Sequence, residues 1–289
     1  MGGVERMGSP ALRVRRLAVY LAWTILLMPV QAFGLALRRP WTATLPCFYH
    51  RWCCRILGLR VRRIGQPTNA RPVLFAANHI SYLDITAMGA LVPVSFIAKR
   101  EVARWPLFGW LARLQRSVFI DRQVRSTKEQ RDSIAGRLAA REALILFAEG
   151  TSGDGNRILP FKSALFSVAD HAAAGAVTVQ PVSIAYTRFD GLPIGRRLRP
   201  LFAWYGSMAM APHLWTVLGL GVVEIVVEFH RPTTLADCGS RKALARHCQE
   251  QVAGGFADAL SGRREPPPEA PRQQEPRPAS ADAAAPALG

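Results

Sequence analysis

The sequence predicts an α/β fold, in which a mostly parallel central sheet is flanked by helices and preceded by a membrane-associated helical segment at the N-terminus. Two observations lead to this prediction. Six short apolar runs, rich in Val, Ile and Phe, are typical of buried strands, and helical patterns separate them. The predicted strands are residues 73–77, 94–98, 118–120, 143–147, 177–184 and 222–229.

The helical patterns between these strands cover, for instance, residues 81–91 and 128–141. Alternation of strand and helix favours a parallel sheet with helices on both faces. In such sheets the loops that leave the carboxyl ends of the strands carry functional residues. The search for a functional site therefore begins at the strand ends.

Composition divides the chain into three parts: a basic N-terminal segment (1–65), an α/β domain (66–261) and a proline-rich tail (262–289). The tail holds seven of the 21 prolines and no aromatic residue, so it is predicted to be disordered. Five cysteines without a C-x-x-C pair fit neither a disulfide scaffold nor a zinc module, and they indicate reduced thiols in a cytosol. No metal site is predicted.

The chain carries 37 Lys and Arg against 20 Asp and Glu, a formal charge of +17. This excess indicates an anionic partner: nucleic acid, lipid head groups or a phosphorylated substrate. Eleven arginines and a single acid, Glu5, give the first 65 residues +10 of that charge. These arginines flank an uncharged run instead of forming a basic face with stacking aromatics, which disfavours nucleic acid.

Residues 17–37 contain no charge and would be about 31 Å long as a helix, which is enough to cross a bilayer. Pro29, Gln31 and Gly34 interrupt the run, so an interfacial or re-entrant helix fits equally well. A secretory signal peptide is disfavoured because two arginines follow the run where a small-residue cleavage site is needed. The sequence therefore predicts membrane attachment and leaves spanning open.

A second apolar stripe runs from Trp41 to Leu59 at helical spacing, with arginines on the opposite face. Thr44 is a candidate N-cap for this helix, with Pro46 in its first turn. Large aromatics opposite arginines are typical of a helix lying in the lipid interface. The alternative is an ordinary helix that packs on the core.

The first predicted strand leads directly into the sequence N-H-I-S-Y-L-D, which places His79 and Asp84 five residues apart. Residues at that spacing do not meet as helix neighbours, so His79 is predicted to lie in the loop before the helix. Ser81 would be the N-cap, with Asp84 turned back toward the loop. The resulting pair could serve as an oriented general base, or as a helix cap beside a structural histidine.

Polar and glycine residues also follow two later strands, at residues 121–122 and 149–162. Arginine, lysine and glycine-containing turns are the usual components of an anion-binding loop, although each alone could be a surface feature. The candidate residues are Arg122, Glu149, Gly150, Thr151, Arg157 and Lys162.

Four motifs in order resemble those of the membrane-bound glycerolipid acyltransferases, typified by bacterial 1-acylglycerol-3-phosphate acyltransferase. The family pattern N-H-x-x-x-x-D is matched at residues 78–84, and its second motif is similar to residues 118–122. Residues 147–152, F-A-E-G-T-S, resemble F-P-E-G-T-R, and residues 179–182 resemble the apolar V-P-V strand. The resemblance covers roughly residues 40–250.

This resemblance implies acyl transfer from a thioester, acyl-CoA or acyl-carrier protein, to the free hydroxyl of a lysolipid, with no other cofactor. His79 would be the general base and Asp84 its orienting partner. Arg122 and residues 149–151 would position the phosphate and glycerol of the acceptor, and Pro181 would lie near the acyl chain. The implied location is the cytoplasmic face of a bacterial inner membrane, with no nucleic-acid partner.

The sequence departs from the family pattern at Ala148 and at Ser152, which replaces a phosphate-binding arginine. Arg157 or Lys162 could replace that cation. Residues 149–162 also resemble the branch that includes lyso-ornithine-lipid acyltransferases. Lysophosphatidate is the favoured acceptor, and lyso-ornithine lipid is the alternative.

Two functions of other classes remain as alternatives. One is a membrane-binding protein that kept the fold without catalysis, which the intact His79 and Asp84 disfavour. The other is a serine hydrolase using Ser81 or Ser163, which the absence of a G-x-S-x-G elbow disfavours.

Overall fold

The computed structural model describes residues 8–120, 134, 136–170 and 176–263. Half of the helix predicted at 128–141 (residues 128–133 and 135) and residues 264–289 of the predicted tail lie outside this part. The strands are β1 Leu59–Ile64, β2 Val73–Ala77, β3 Ser95–Lys99, β4 Val118–Ile120, β5 Ala143–Phe147, β6 Thr178–Phe189, β7 Leu192–Pro193, β8 Val223–Phe229 and β9 Thr233–Thr234. The α-helices are α1 Pro10–Ala36, α2 Leu45–Leu57, α3 Leu83–Leu91, α4 Phe108–Leu114, α5 Met210–Leu218, α6 Leu235–Cys238 and α7 Arg241–Leu260.

The central sheet has the strand order β1-β8-β6-β2-β5-β3-β4, and β7 and β9 pair with β6. Among the described strands, β6 and β8 are the one antiparallel pair along this path, and the other neighbours are parallel. The predicted mostly parallel sheet with flanking helices is therefore confirmed. Short 3₁₀ turns at Pro40–Ala43, Arg100–Arg104, Ser163–Asp170 and Arg199–Leu201 connect the elements.

Strands β2 and β5 are the centre of the sheet, and every residue in both is buried. Continuous apolar runs are expected where helices cover both faces, and these two strands begin and end where the sequence predicted. Strand β6 extends five residues beyond its predicted end at 184. It continues because its last residues pair with β8 across a bulge between Tyr186 and Arg188.

The predicted apolar stripe from Trp41 to Leu59 extends beyond the helix at both ends, whereas the predicted helix start after Thr44 is confirmed. Trp41 lies in the 3₁₀ turn, and α2 ends at Leu57 because Gly58 adopts a left-handed φ of 74°. Leu59 begins β1, which pairs in parallel with β8. Residues 59–64, which composition grouped with the N-terminal helices, thus belong to the sheet.

The predicted cap at Thr44 has the correct position and a different bonding pattern. Thr44 is the N-cap residue of α2 and Pro46 lies in the first turn, but no N–H of the helix bonds to the Thr44 side chain. Its hydroxyl instead donates to the Trp41 carbonyl at 3.1 Å. The Thr44 hydroxyl therefore bonds to a carbonyl of the 3₁₀ turn that precedes α2, and not to an N–H group of the helix.

Helix α1 is long and apolar enough to cross a membrane by length and composition, and 17% of its most apolar window is buried. Polar side chains tie it to the α/β domain at two places. The Arg16 guanidinium donates to three carbonyls of residues 218–221. The Gln31 amide donates to the carbonyls of Thr42 and Leu114, both at 3.0 Å. About four turns of α1 therefore lie against the domain surface.

Replacement of Gly58 by alanine should destabilise the fold more than replacement of Gly239. Both glycines end helices with φ near +75°, which costs an alanine roughly 1 kcal/mol. A Cβ at Gly58 would lie 2.2 Å from the Arg16 guanidinium and 2.8 Å from the Gly221 carbonyl, whereas a Cβ at Gly239 has no neighbour within 4 Å.

Chemical unfolding in detergent measures the difference. We expect Gly239→Ala to lower the free energy of unfolding by about 1 kcal/mol. Gly58→Ala should lower it by a further ~1–3 kcal/mol, since the Arg16 side chain must move. Equal losses in the two variants would contradict the close approach of α1 to this turn.

Candidate active site

The site lies at the carboxyl ends of β2 and β5, which are neighbours in the sheet. The loops that follow them are joined by backbone hydrogen bonds from Ala148 to the Ala77 carbonyl and from Gly153 to the His79 carbonyl, both 2.9 Å. Asn78 links the first loop to β6 through two hydrogen bonds with Ile184. Its side-chain N–H donates to the Ile184 carbonyl, and its side-chain oxygen accepts from the Ile184 N–H. The parallel register therefore brings the first and third sequence motifs together.

His79 and Asp84 form the pair predicted from their spacing. His79 lies in the loop before α3, and its Nδ1 is 2.8 Å from Oδ2 of Asp84. A carboxylate only accepts hydrogen bonds, so Nδ1 carries the proton and Nε2 of the neutral ring is the proton acceptor. The His79 side chain is 17% exposed, which leaves the imidazole accessible from one side.

Asp84 is fully buried, and its carboxylate accepts from several donors. Oδ2 accepts from the backbone N–H groups of Ile80 at 2.7 Å and Ser81 at 3.0 Å. The predicted N-cap role of Ser81 is wrong: α3 begins at Leu83, and the Ser81 hydroxyl is buried with no hydrogen-bond partner among the described residues. The carboxylate itself organises the turn, because it binds the N–H groups that precede the helix.

Tyr186 completes the surroundings of this carboxylate. Its hydroxyl donates to Oδ1 of Asp84 at 2.8 Å. Burial, and then the neighbouring Asp84, raises the pKa of Tyr186 well above its usual value, so the phenol stays protonated as a donor. Sequence reasoning missed Tyr186, because it lies 102 residues from Asp84 and two positions beyond the strand predicted at 177–184. A tyrosine just after a predicted buried strand was the available signal, because a buried phenol usually has a hydrogen-bond partner.

The imidazole of His79 is also held by an aromatic ring. The ring of Phe147, the last residue of β5, stacks on it with centroids 3.9 Å apart and planes 16° apart. Phe96 of β3 stacks in turn on Phe147 at 6.3 Å. Stacking on one face and the Asp84 bond at one edge together fix the orientation of the ring.

Glu149 binds both loops from inside the protein. It is 2% exposed, and its two oxygens accept from the backbone N–H groups of His79 at 3.3 Å and Leu159 at 2.9 Å. Burial raises the pKa of Glu149 from 4.5 to about 8, with a smaller contribution from the charge of Asp84. The structure therefore places this predicted substrate-binding residue as a brace between loops.

The other candidate anion-binding residues lie at different distances from the pair. Thr151 lines the cavity beside His79. Gly150 adopts a φ of 72°, and a Cβ there would lie 3.0 Å from Nζ of Lys162, so the lysine packs over this turn. Lys162 and Arg157 are exposed. Arg122 lies outside the described residues.

An apolar cavity of about 350 Å³ opens beside His79. Residues from helices α1 to α5 line it together with residues 96–99, 101–102 and 204–206. None of the described residues that line it comes from β6, so Pro181, expected near an acyl chain, does not contact this space. A cavity lined mainly by apolar side chains suits a hydrocarbon chain next to a proton acceptor.

A family model described as Acyltransferase matches residues 59–185, which include both loops of the site. A lyso-ornithine lipid O-acyltransferase from Brucella abortus is 45% identical over 255 residues, covering 86% of this chain and 95% of that protein. The chain belongs to the acyltransferase family.

Other comparisons agree with this acyltransferase assignment. A lyso-ornithine lipid O-acyltransferase from Rhizobium meliloti is 42% identical and covers 83% of this chain and 84% of that protein. A 1-acyl-sn-glycerol-3-phosphate acyltransferase from Neisseria gonorrhoeae is 34% identical, with coverage of 68% and 74%. The crystal structure of the acyltransferase PlsC from Thermotoga maritima has the same fold, with a TM-score of 0.60 at 22% identity over 86% of this chain and 97% of that one.

The raised pKa of Glu149 predicts a pH dependence of stability. In the unfolded chain this carboxyl ionises near pH 4.5, whereas in the folded chain it keeps its proton to about pH 8. The folded state thus binds more protons between these values, and the free energy of unfolding falls as pH rises through that window. Unfolding of wild type and Glu149→Gln should be compared from pH 4.5 to 8.5.

We expect Glu149→Gln to be less stable at low pH, because an amide accepts only one of the two backbone hydrogen bonds. Its stability should also change less with pH than that of the wild type. Parallel stability profiles for the two proteins would contradict the protonated state of Glu149.

Proposed function

We propose that this acyltransferase transfers a fatty acyl group from a thioester, acyl-CoA or acyl-carrier protein, to the free hydroxyl of a lysolipid. The observation that carries this proposal is the 2.8 Å bond between His79 Nδ1 and Asp84, which leaves Nε2 as a base beside an apolar cavity. The names of the related proteins, all acyltransferases of lysolipids, support the acceptor class.

In the proposed reaction, Nε2 of His79 removes the proton of the acceptor hydroxyl as its oxygen attacks the thioester carbonyl. Asp84 stabilises the imidazolium that forms, and Tyr186 and two backbone N–H groups hold that carboxylate in place. The carbon–sulfur bond breaks as the ester bond forms. The imidazolium then returns the proton to the departing thiolate, and no acyl group is attached to the enzyme.

We propose a lyso-ornithine lipid as the acceptor. Two relatives with that name are 45% and 42% identical to this chain, against 34% for a relative that acts on 1-acylglycerol-3-phosphate. Ser152 supports the same acceptor, because it stands where the resembling motif has a phosphate-binding arginine. Its hydroxyl donates to the Trp204 carbonyl, so it is engaged within the protein.

Lysophosphatidate is the second candidate acceptor. The exposed cations Arg157 and Lys162 lie in the loop that follows Ser152, and Lys162 packs over the Gly150 turn. Either could bind a phosphate, as could Arg122.

We further propose that the enzyme lies on the cytoplasmic face of a bacterial inner membrane, held by α1 and α2. Half-buried or exposed aromatic rings of these helices form a cluster: Trp23 lies 5.6 Å from Phe48 and 5.7 Å from Trp52. Arg55 stacks over Trp52 at 4.8 Å, as is common at the level of lipid head groups. Because α1 packs along the domain, insertion of its exposed side is favoured over an isolated span.

Acyl transfer by purified enzyme in micelles, with labelled acyl-CoA, tests the mechanism. His79→Ala should lower kcat/KM by about 10²- to 10⁴-fold, since it removes the base. His247→Ala, a replacement on the remote helix α7, should have the wild-type rate. Unfolding temperatures verify that both variants are folded, and a fully active His79→Ala enzyme would overturn the mechanism.

The same assay with the two lysolipids offered in parallel tests the acceptor. We expect His79-dependent transfer to lyso-ornithine lipid to be faster than transfer to lysophosphatidate. Faster transfer to lysophosphatidate would establish the second candidate and assign the anion-binding role to residues after Ser152.

Flotation with anionic liposomes tests whether the aromatic cluster on α1 and α2 binds the membrane. Replacing both Phe48 and Trp52 by serine should weaken liposome binding at least about tenfold. The variant lacks the two large aromatic side chains whose transfer from water into the bilayer favours binding. Leu192→Ser is the matched control, since Leu192 is 72% exposed on the distant strand β7. Equal liposome binding by the double variant and the control would contradict the proposal that the aromatic cluster of α1 and α2 binds the membrane.

A further inference from the structure

A cluster of three aromatic rings lies at the same cavity as His79 and has no role in the proton transfer. Its members are Tyr82, Trp105 and Trp204, all half-buried, and all three line the cavity. The ring of Trp204 lies 6.2 Å from that of Tyr82 with planes at 63°, and 5.9 Å from that of Trp105 with planes at 88°. The two indoles therefore form a right-angled corner.

The backbone of Trp204 is held by both loops of the active site. Its N–H donates to the carbonyl of Ile80 at 2.9 Å, and its carbonyl accepts from the hydroxyl of Ser152. Ile80 directly follows His79 in the first loop, and Ser152 lies three residues after Glu149 in the second loop. The position of this indole is thus fixed by the same two loops that position the base.

The residue at 152 accounts for this connection. An arginine at this position would offer a cation to the acceptor, whereas the short hydroxyl of Ser152 reaches the Trp204 carbonyl instead. The replacement therefore does two things at once. It removes a positive charge from the site, and it fastens an electron-rich ring beside the cavity.

Aromatic faces carry partial negative charge and attract cations such as ammonium groups, particularly where two faces meet. The same faces repel a phosphate. Glu101, which also lines this cavity, adds a negative charge, and Lys99, another lining residue, adds a cation suited to a carboxylate. This combination matches an amino-acid head group that carries both an ammonium and a carboxylate.

We propose that the corner formed by Trp105 and Trp204, fixed by Ser152, binds the ammonium group of the acceptor and selects a cationic head group over a phosphate. This inference rests on the proposed acceptor and adds the residues that recognise it. Tyr82 helps to hold the corner in place, since its ring contacts that of Trp204 and its hydroxyl forms a 3.0 Å hydrogen bond with His213.

The test compares lyso-ornithine lipid with its N-acetylated derivative, which has a neutral side chain and the same acceptor hydroxyl. Wild type should use the ammonium form with a kcat/KM about tenfold higher. Trp204→Leu should remove this preference by lowering kcat/KM for the ammonium form alone, and Trp204→Phe should restore part of it. Trp110→Leu, at a 60% exposed tryptophan that does not line the cavity, is the matched control.

Two results would overturn the proposal. Equal use of both derivatives by wild type would exclude recognition of the ammonium. An equal loss for both derivatives in Trp204→Leu would instead make the indole a wall for the acyl chain. Failure of the proposed function has a different signature, in which wild type acylates lysophosphatidate and neither ornithine derivative.

Discussion

A carboxylate buried away from water needs hydrogen-bond donors from the protein, and Asp84, which is 0% exposed, accepts hydrogen bonds from four. They are the Nδ1–H of His79, the backbone N–H groups of residues 80 and 81, and the hydroxyl of Tyr186. These four donors come from three parts of the site: the base, the turn before α3, and strand β6. The orientation of the imidazole therefore depends on one buried charge.

The surrounding loops extend this constraint to the whole edge of the sheet. Glu149 ties the histidine loop to the segment after β5, and Ser152 ties that segment to Trp204. Because β2 and β5 are neighbours, a single hydrogen bond of 3.3 Å joins His79 to Glu149, which is 70 positions away in sequence. The proton acceptor and the aromatic corner are consequently parts of one rigid arrangement.

Local patterns in the sequence predicted the parallel sheet, the loop position of His79 and its pairing with Asp84, because each depends on residues close in the chain. The sequence could not predict contacts made through the tertiary fold. Tyr186 lies two positions beyond the strand predicted at 177–184, and only the pairing of β6 with β8 extends the strand to it. Similarly, the stripe that continues to Leu59 is helical in spacing, and only the left-handed Gly58 and the pairing with β8 show where the helix ends.

The central claim is that Asp84 holds His79 with its proton on Nδ1, leaving Nε2 as the base. Nitrogen-15 NMR of histidine-labelled enzyme in micelles at neutral pH, with the His79 signals assigned from the His79→Ala spectrum, measures this tautomer directly. The structure predicts a protonated Nδ1 and an unprotonated Nε2 for His79. A neutral ring protonated on Nε2 would contradict the account, because it could not accept the proton of the acceptor hydroxyl at that atom.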